Sequence, residues 1–256
     1  MHSEIILDID LEGHDSPELV VQRRKIISGM VDQVLQGKYN FLSIDGVPGI
    51  GKTYLMDRIM EEVARRGVAV AAATMDMDVL PRTERGDKEI TKYHPGNIAR
   101  EAISRHQGAR STSFDFMSHG RPQSIAASLL HHNNGSSSFD FKEYDGKTGQ
   151  HSKEARLTVP GKANGLLIVE GFTAAAFVES LIDSTIDRLY EVYLTGPMEL
   201  AEQQRLGRDV NEKGLAHDEI MRRLETQRSS LKSFDADTWK RMTTSTHAVR
   251  RSPIHL

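Results

Sequence analysis

The sequence predicts an α/β fold in which a parallel sheet is flanked by helices on both faces. Three observations predict it. The run Gly67–Thr74 (GVAVAAAT) carries no polar alternation, as expected of a strand buried on both faces. Amphipathic helical stretches alternate with such apolar runs at the spacing of strand–helix–strand units. A glycine-rich turn joins one apolar strand directly to one of these helices. The length of 256 residues, with 38% hydrophobic and 27% charged side chains, suits one large domain or at most two small ones.

The elements follow in order. Residues 16–36 predict a helix: Ser16 can cap it, Pro17 suits its first position, and Glu18 favours the positive end of the dipole. Leu19, Ile26, Ile27, Met30, Val31, Val34 and Leu35 recur at helical spacing until Gly37 stops the run. A strand is expected over Tyr39–Ile44. The next helix starts at about Lys52, presents Leu55, Ile59, Met60 and Val63 to a core, and ends at Arg65-Arg66-Gly67. The strand 67–74 follows, and Leu166–Val169 and Leu189–Leu194 are two more. Between 81 and 160, Ser, His, Gly and Asn accumulate. This stretch reads as irregular structure on one sheet edge, with a mobile loop near 132–138, and not as a second domain. On that reading His119, His131 and His132 are solvated. From about His247 a weakly ordered tail is expected.

Composition excludes several classes. Lys and Arg number 33 against 36 Asp and Glu, a net charge of −3, which argues against a basic nucleic-acid-binding surface. The absence of cysteine removes disulfides, thiolate metal sites and cysteine nucleophiles. The 11 histidines show no metal-ligand spacing. The acidic N-terminus does not resemble a secretory signal, and no run approaches the ~18 apolar residues of a membrane span. A cytoplasmic location is expected, with no membrane partner.

The strongest signal is Gly46-Val47-Pro48-Gly49-Ile50-Gly51-Lys52-Thr53, a complete GxxxxGK[ST]. Such a loop wraps phosphate with successive backbone N–H groups, so glycines stand where side chains would obstruct. Lys52 supplies charge to the β- and γ-phosphates, and Thr53 offers a hydroxyl to Mg²⁺. The helix that follows favours anions at its N-terminus. Guanine-reading NKxD is missing, which argues against a GTPase. Glu170, at the end of the strand Leu166–Val169, can hold Mg²⁺ or its waters; the plain alternative is a charged strand end. Asp76 and Asp78 follow the strand 67–74 and would face the same crevice, where one could take the proton of an attacking hydroxyl or merely cap the turn.

LSIDGVPGIGKT (42–53), TMDMDVLPRTER (74–85), SFDF (113–116), EYDGKTG (143–149), LLIVEG (166–171) and RLGRDVNEKG (205–214) stand in that order. In this the chain resembles the uridine kinase-like P-loop kinases, a group with uridine/cytidine kinases, phosphoribulokinase and pantothenate kinase. The resemblance covers about 40–215, and only the phosphate loop is highly specific. It implies a three-layer P-loop nucleoside triphosphate hydrolase-type fold in a single domain, 1–256, with a small helical lid at about 200–216. It implies ATP and Mg²⁺, with Thr53 and Glu170 toward the metal. The family spacing D-x-F-L-x-P, counted from Leu80-Pro81, selects Asp76 as base, but Asp78 occupies the family's Phe position and the choice stays open. The family's lid arginines match Arg205 and Arg208, with Asp209 and Gly214 in register and Gln204 where one arginine would be; without the resemblance both would read as exposed helix charges. Asp78, Asp115, Tyr144 and Asp145 are implied on the acceptor side, although His94-Pro95 lies well upstream of its family place beside Ser113-Phe114-Asp115.

The expected activity is transfer of the γ-phosphoryl group of ATP to a hydroxyl of a small molecule, a nucleoside or related sugar-containing metabolite. A non-nucleoside alcohol (an unusual sugar, an antibiotic or a vitamin-like compound) is the alternative acceptor. A nucleotide-binding regulatory module without transfer is the alternative class. No nucleic-acid partner is expected, and a homo-oligomer is compatible with the sequence.

Overall fold

The computed structural model describes residues 5–6, 17–37, 39–46, 48–78, 134–145, 147–171, 189–195, 198–211, 214–218 and 250–255, with single positions at 128, 131, 132, 174, 220, 221 and 224. Six strands form one sheet: β1 (Ile5–Ile6), β2 (Phe41–Gly46), β3 (Ala69–Thr74), β6 (Gly165–Glu170), β7 (Leu189–Thr195) and β8 (Arg250–His255). Their order is β1-β8-β7-β2-β6-β3, and every pairing is parallel. Helices α1 (Pro17–Gln36), α2 (Lys52–Arg65) and α3 (Met198–Asn211) accompany it.

Parallel strands of one sheet must be joined by crossovers, so β2 leaves the sheet through α2 before the chain returns as β3, on the far side of β6. All six residues of β2 are buried, because β7 and β6 cover its edges. One face of β2 shows Leu42 and Ile44 to a core built from Ile27, Met30, Val31 and Val34 of α1 and Leu55, Met56, Ile59 and Val63 of α2. Each such side chain contributes about 1.5–3 kcal/mol by leaving water. The predicted helical stripes therefore pack as expected, with Ile26, Leu35 and Met60 at the margin. Arg66 locks the two helices together: its guanidinium donates to Asp32, to Glu62 (2.9 Å) and to the Ser28 hydroxyl (2.8 Å).

Several expectations need correction. The first strand runs over Phe41–Gly46, two residues later than expected, because the ring of Tyr39 turns to an edge contact with Tyr190 at 5.3 Å. β3 is not buried on both faces. Ala71 and Ala73 are buried on one face, but Val70, Ala72 and Thr74 are only half-buried on the other, and Ala69 at the start of the strand is exposed.

The stretch 137–159 is regular, not irregular. β4 (Ser137–Asp145) and β5 (Gln150–Val159) form an antiparallel hairpin. Phe139 and Phe141 lie on one face opposite Leu157 and Ala155, while Asp140–Arg156 and Ser138–Thr158 bond across the other. Residues 81–127 lie outside the described residues, as do Ser16 and His119.

The tail expected from His247 is corrected too, for β8 inserts between β7 and β1. Pro253 stands opposite Tyr193 of β7, one position before the pairing with β1 begins at Ile254.

His132 is likewise no solvated loop residue. It is fully buried, its ring edge-on to Phe41 at 4.5 Å, with its two nitrogens facing the carbonyls of Pro160 and Asn40. His131 is half-buried and stacked on Phe139. His132 thus pins the base of the hairpin to the start of β2.

Burial, the dominant cause, lowers the His132 pKa below 6.5, although both carbonyls oppose it. A lowered folded pKa contributes stability that is full above 6.5 and is lost as pH falls through the folded value. His132→Leu should cost about 1–3 kcal/mol near neutral pH by leaving a buried carbonyl without the ring N–H that donates to it. It should also remove part of the acid loss, so wild type and variant should converge in urea melts between about pH 7.5 and about pH 5.5.

Candidate active site

The sheet order decides where the polar ends of the strands meet. β6 lies between β2 and β3, and its last residue, Glu170, stands level with Ile44 of β2 and Thr74 of β3. Immediately beyond those levels come Asp45 and the phosphate loop on one side, and a 3₁₀ turn, Met75–Asp78, on the other. This is the carboxyl edge of a parallel sheet, where crevices form at the point at which the strand order reverses.

The loop meets the demands of phosphate binding. Gly49 and Gly51 hold φ of 91° and 92°, and Gly51 caps α2 in the left-handed region without a side-chain cap bond. No acidic residue occupies the first turn of α2, whose leading N–H groups lack intrahelical acceptors. Thr53 is exposed at this end. Val47 lies outside the described residues.

Lys52 is 8% exposed and Glu170 9%, with Nζ 3.9 Å from Oε1. Burial, the largest cause, pulls the Lys52 pKa down, opposed by Glu170, Asp76 and Asp45. Burial likewise pushes Glu170 up, opposed first by Lys52. Each group would be poorly charged alone, and each holds the other nearer its ionised form. Arg208 acts on both from α3. Lys52, Glu170, Asp76, Asp45 and Arg208 thus share one electrostatic neighbourhood.

Helix α3 occupies the stretch expected for the lid and packs directly on the phosphate loop. A Cβ built at Gly49 would meet Ala201 O at 2.2 Å and Arg205 Cβ at 3.0 Å. Arg205 and Arg208 are not free surface charges, since both donate to Asp209. Asp76 is exposed on the 3₁₀ turn. Asp78 belongs to the same turn, but its side chain lies outside the described residues, as does Asp115 altogether.

The hairpin contributes the last wall. β4 packs against the 3₁₀ turn and β5 against β3. Tyr144 sits near the hairpin end, edge-on to His151 at 6.1 Å. Asp145 accepts from Lys147 N–H and the Thr148 hydroxyl, both at 2.8 Å, and so closes the turn at the tip. That tip approaches the end of α3: a Cβ at Gly214 would lie 3.9 Å from Lys147 Nζ.

Sequence reasoning missed Asp45. Its signal was present, an acid set between an apolar strand and the first loop glycine. Among the described residues no group of three or more His, Asp or Glu gathers as a metal cage. The Thr53 hydroxyl and the Glu170 carboxylate are nevertheless the hard oxygen donors that Mg²⁺ uses beside phosphates, so these residues fit that ion.

Gly49→Ala should cost at least about 3 kcal/mol, since backbone strain and the Ala201 clash add, and should weaken ATP binding. Gly67→Ala, at φ 74° with nothing within 4 Å, should cost only about 1–2 kcal/mol and leave affinity unchanged. Thermal melts with ATP titration separate the two.

Comparison with known proteins agrees with this geometry. The profile of the Phosphoribulokinase / Uridine kinase family matches residues 41–249. No curated protein matches the sequence. Solved structures share the fold at low identity. D-glycerate 3-kinase from Cryptococcus neoformans is 10% identical, with TM-score 0.53 over 94% of this chain and 96% of that one. A candidate fructose transport system kinase from Silicibacter sp. TM1040 is 14% identical, with TM-score 0.52 over 89% and 98%. The YGR205w protein is 10% identical, with TM-score 0.55 over 91% and 92%. With a complete phosphate loop at the carboxyl edge of a parallel sheet, and a family profile that spans most of its length, the chain belongs to the phosphoribulokinase/uridine kinase family of P-loop kinases.

Proposed function

We propose that this kinase transfers the γ-phosphoryl group of ATP, with Mg²⁺, to a hydroxyl of a nucleoside or related sugar-containing metabolite. The observation that carries the reading is the convergence of Lys52, Glu170 and Asp76 beside the phosphate loop. The whole chain, 1–256, acts as one kinase domain in this proposal.

Each residue has a physical task. The backbone of Gly46–Thr53 cradles the phosphates, and Lys52 balances charge on the β- and γ-groups. Thr53 and Glu170 would hold Mg²⁺, which would supply positive charge beside the phosphate oxygens. Asp76 accepts the acceptor's hydroxyl proton as the oxygen attacks the γ-phosphorus, while the bond to the bridging β–γ oxygen breaks and ADP leaves. Arg205 and Arg208 stabilise charge on the moving group. Closure of α3 and the hairpin would exclude water and suppress hydrolysis. Asp76 acts electrostatically on both Lys52 and Glu170, and the family spacing counted back from Leu80-Pro81 selects the same residue. Tyr144 on the hairpin, with Asp78 and Asp115, would face the acceptor.

A non-nucleoside alcohol is the second reading. It is favoured by Asp145, whose carboxylate is engaged in its own turn, and by a fold relative named for D-glycerate. A panel of nucleosides, sugars and hydroxy acids, scored by ATP consumption, decides between acceptors.

Asp76→Asn should lower transfer about 10²- to 10⁴-fold while ATP affinity stays near wild type. Turnover within a few-fold of wild type would remove Asp76 from the role of base. Single-turnover transfer together with nucleotide titration measures both quantities.

A further inference from the structure

Arginines that stabilise a transferring phosphoryl must be held in place before the reaction, because long side chains otherwise spend their interaction energy on ordering. We propose that Asp209 is the positioning residue that joins Arg205 and Arg208 into one rigid cationic fork above the phosphate loop. This role rests on the kinase reading.

The geometry divides the carboxylate between the two side chains. Asp209 Oδ1 accepts from Arg208 Nε at 3.0 Å and from Arg208 Nη2 at 2.9 Å, while Oδ2 accepts from Arg205 Nε at 3.4 Å. Asp209 is only 4% exposed, so little water competes for these bonds. The contacts to Arg208 use one edge of its guanidinium and leave Nη1 outside them. The Nη1 side is the part a phosphate can use.

Charge and backbone support the same role. Two guanidinium groups side by side repel, and a carboxylate between them lowers the net charge of the cluster to +1. The helix that carries them is seated: Ala201 is buried, and its carbonyl lies against Gly49. Beyond Asp209 the chain turns back, with Leu215 N–H donating to Asp209 O and Gly214 N–H to Val210 O. Arg205 stands over Gly49, and Arg208 acts on Lys52 and Glu170.

The experiment follows Mg²⁺·ATP turnover, with an acceptor from the panel or as slow hydrolysis without one, alongside nucleotide affinity and thermal melts. Asp209→Asn should lower kcat about 10- to 100-fold, as loss of a supporting carboxylate does at other preorganised sites, with KM for ATP within about threefold. In an Arg205→Ala/Arg208→Ala background the same substitution should change kcat less than about twofold, because nothing remains to position. If Asp209→Asn does not fold, Asp209→Glu keeps the charge and shifts it by one methylene; it should melt near wild type yet lose kcat.

Unchanged kcat in the folded variants overturns the proposal. So does an equal loss in the double-alanine background, which would mark Asp209 as a helix anchor only. A wild type that binds Mg²⁺·ATP without turning it over, or does not bind it, fails the kinase reading and this role with it. A wild type that turns over while the Asp209 variants match it fails this role alone.

Discussion

The parallel run of β6 between β2 and β3 is the constraint on which the site depends. Because these three strands point the same way and are in register, their carboxyl ends open at one level. Glu170 thereby comes within 3.9 Å of Lys52, although 118 positions separate them in the chain. The pair is expensive to bury, and neither group would stay charged alone at so low an exposure. A phosphate-binding site is a setting in which that cost is offset, since both groups have charged work to do beside a polyphosphate and its metal.

A second constraint acts from above. Helix α3 approaches the phosphate loop so closely that Gly49 has no room for a Cβ, and this contact carries Arg205 to the loop. The hairpin closes a third side, held to the sheet by His132 and reaching toward Gly214 with Lys147. Loop, α3 and hairpin are therefore parts of one wall, each set by backbone packing and each able to present only a few polar groups.

Much of this was legible in the residues. The α2 stripe of Leu55, Ile59 and Val63 and the α1 stripe around Met30 and Val31 followed helical period, and the phosphate loop followed from its glycines and Lys52. The hairpin was not read, although Phe139 and Phe141 alternate with Asp140 and Lys142 before the turn at Asp145–Gly149. Serine and asparagine upstream outweighed a short period-two signal. His132 was misread because burial of a histidine depends on carbonyls, here of Pro160 and Asn40, that no local pattern announces. β8 was missed for a similar reason: Arg250–His255 has little apolar character, and its strand state comes from pairing with β7 and β1.

What the sequence by itself determined is the local chemistry: which loop has the glycine and lysine pattern suited to phosphate, which helices have an apolar face, and which carboxylates end strands. Those properties follow from spacing and side-chain type within a few residues. Only the tertiary structure decided which distant groups act together. It brought Glu170 to Lys52 rather than leaving it a charged strand end, buried Asp45 beside the loop, and paired Arg205 and Arg208 with Asp209. Strand order and helix seating are set by burial summed over the whole chain, and electrostatic coupling falls off with distance through the fold, not along the sequence.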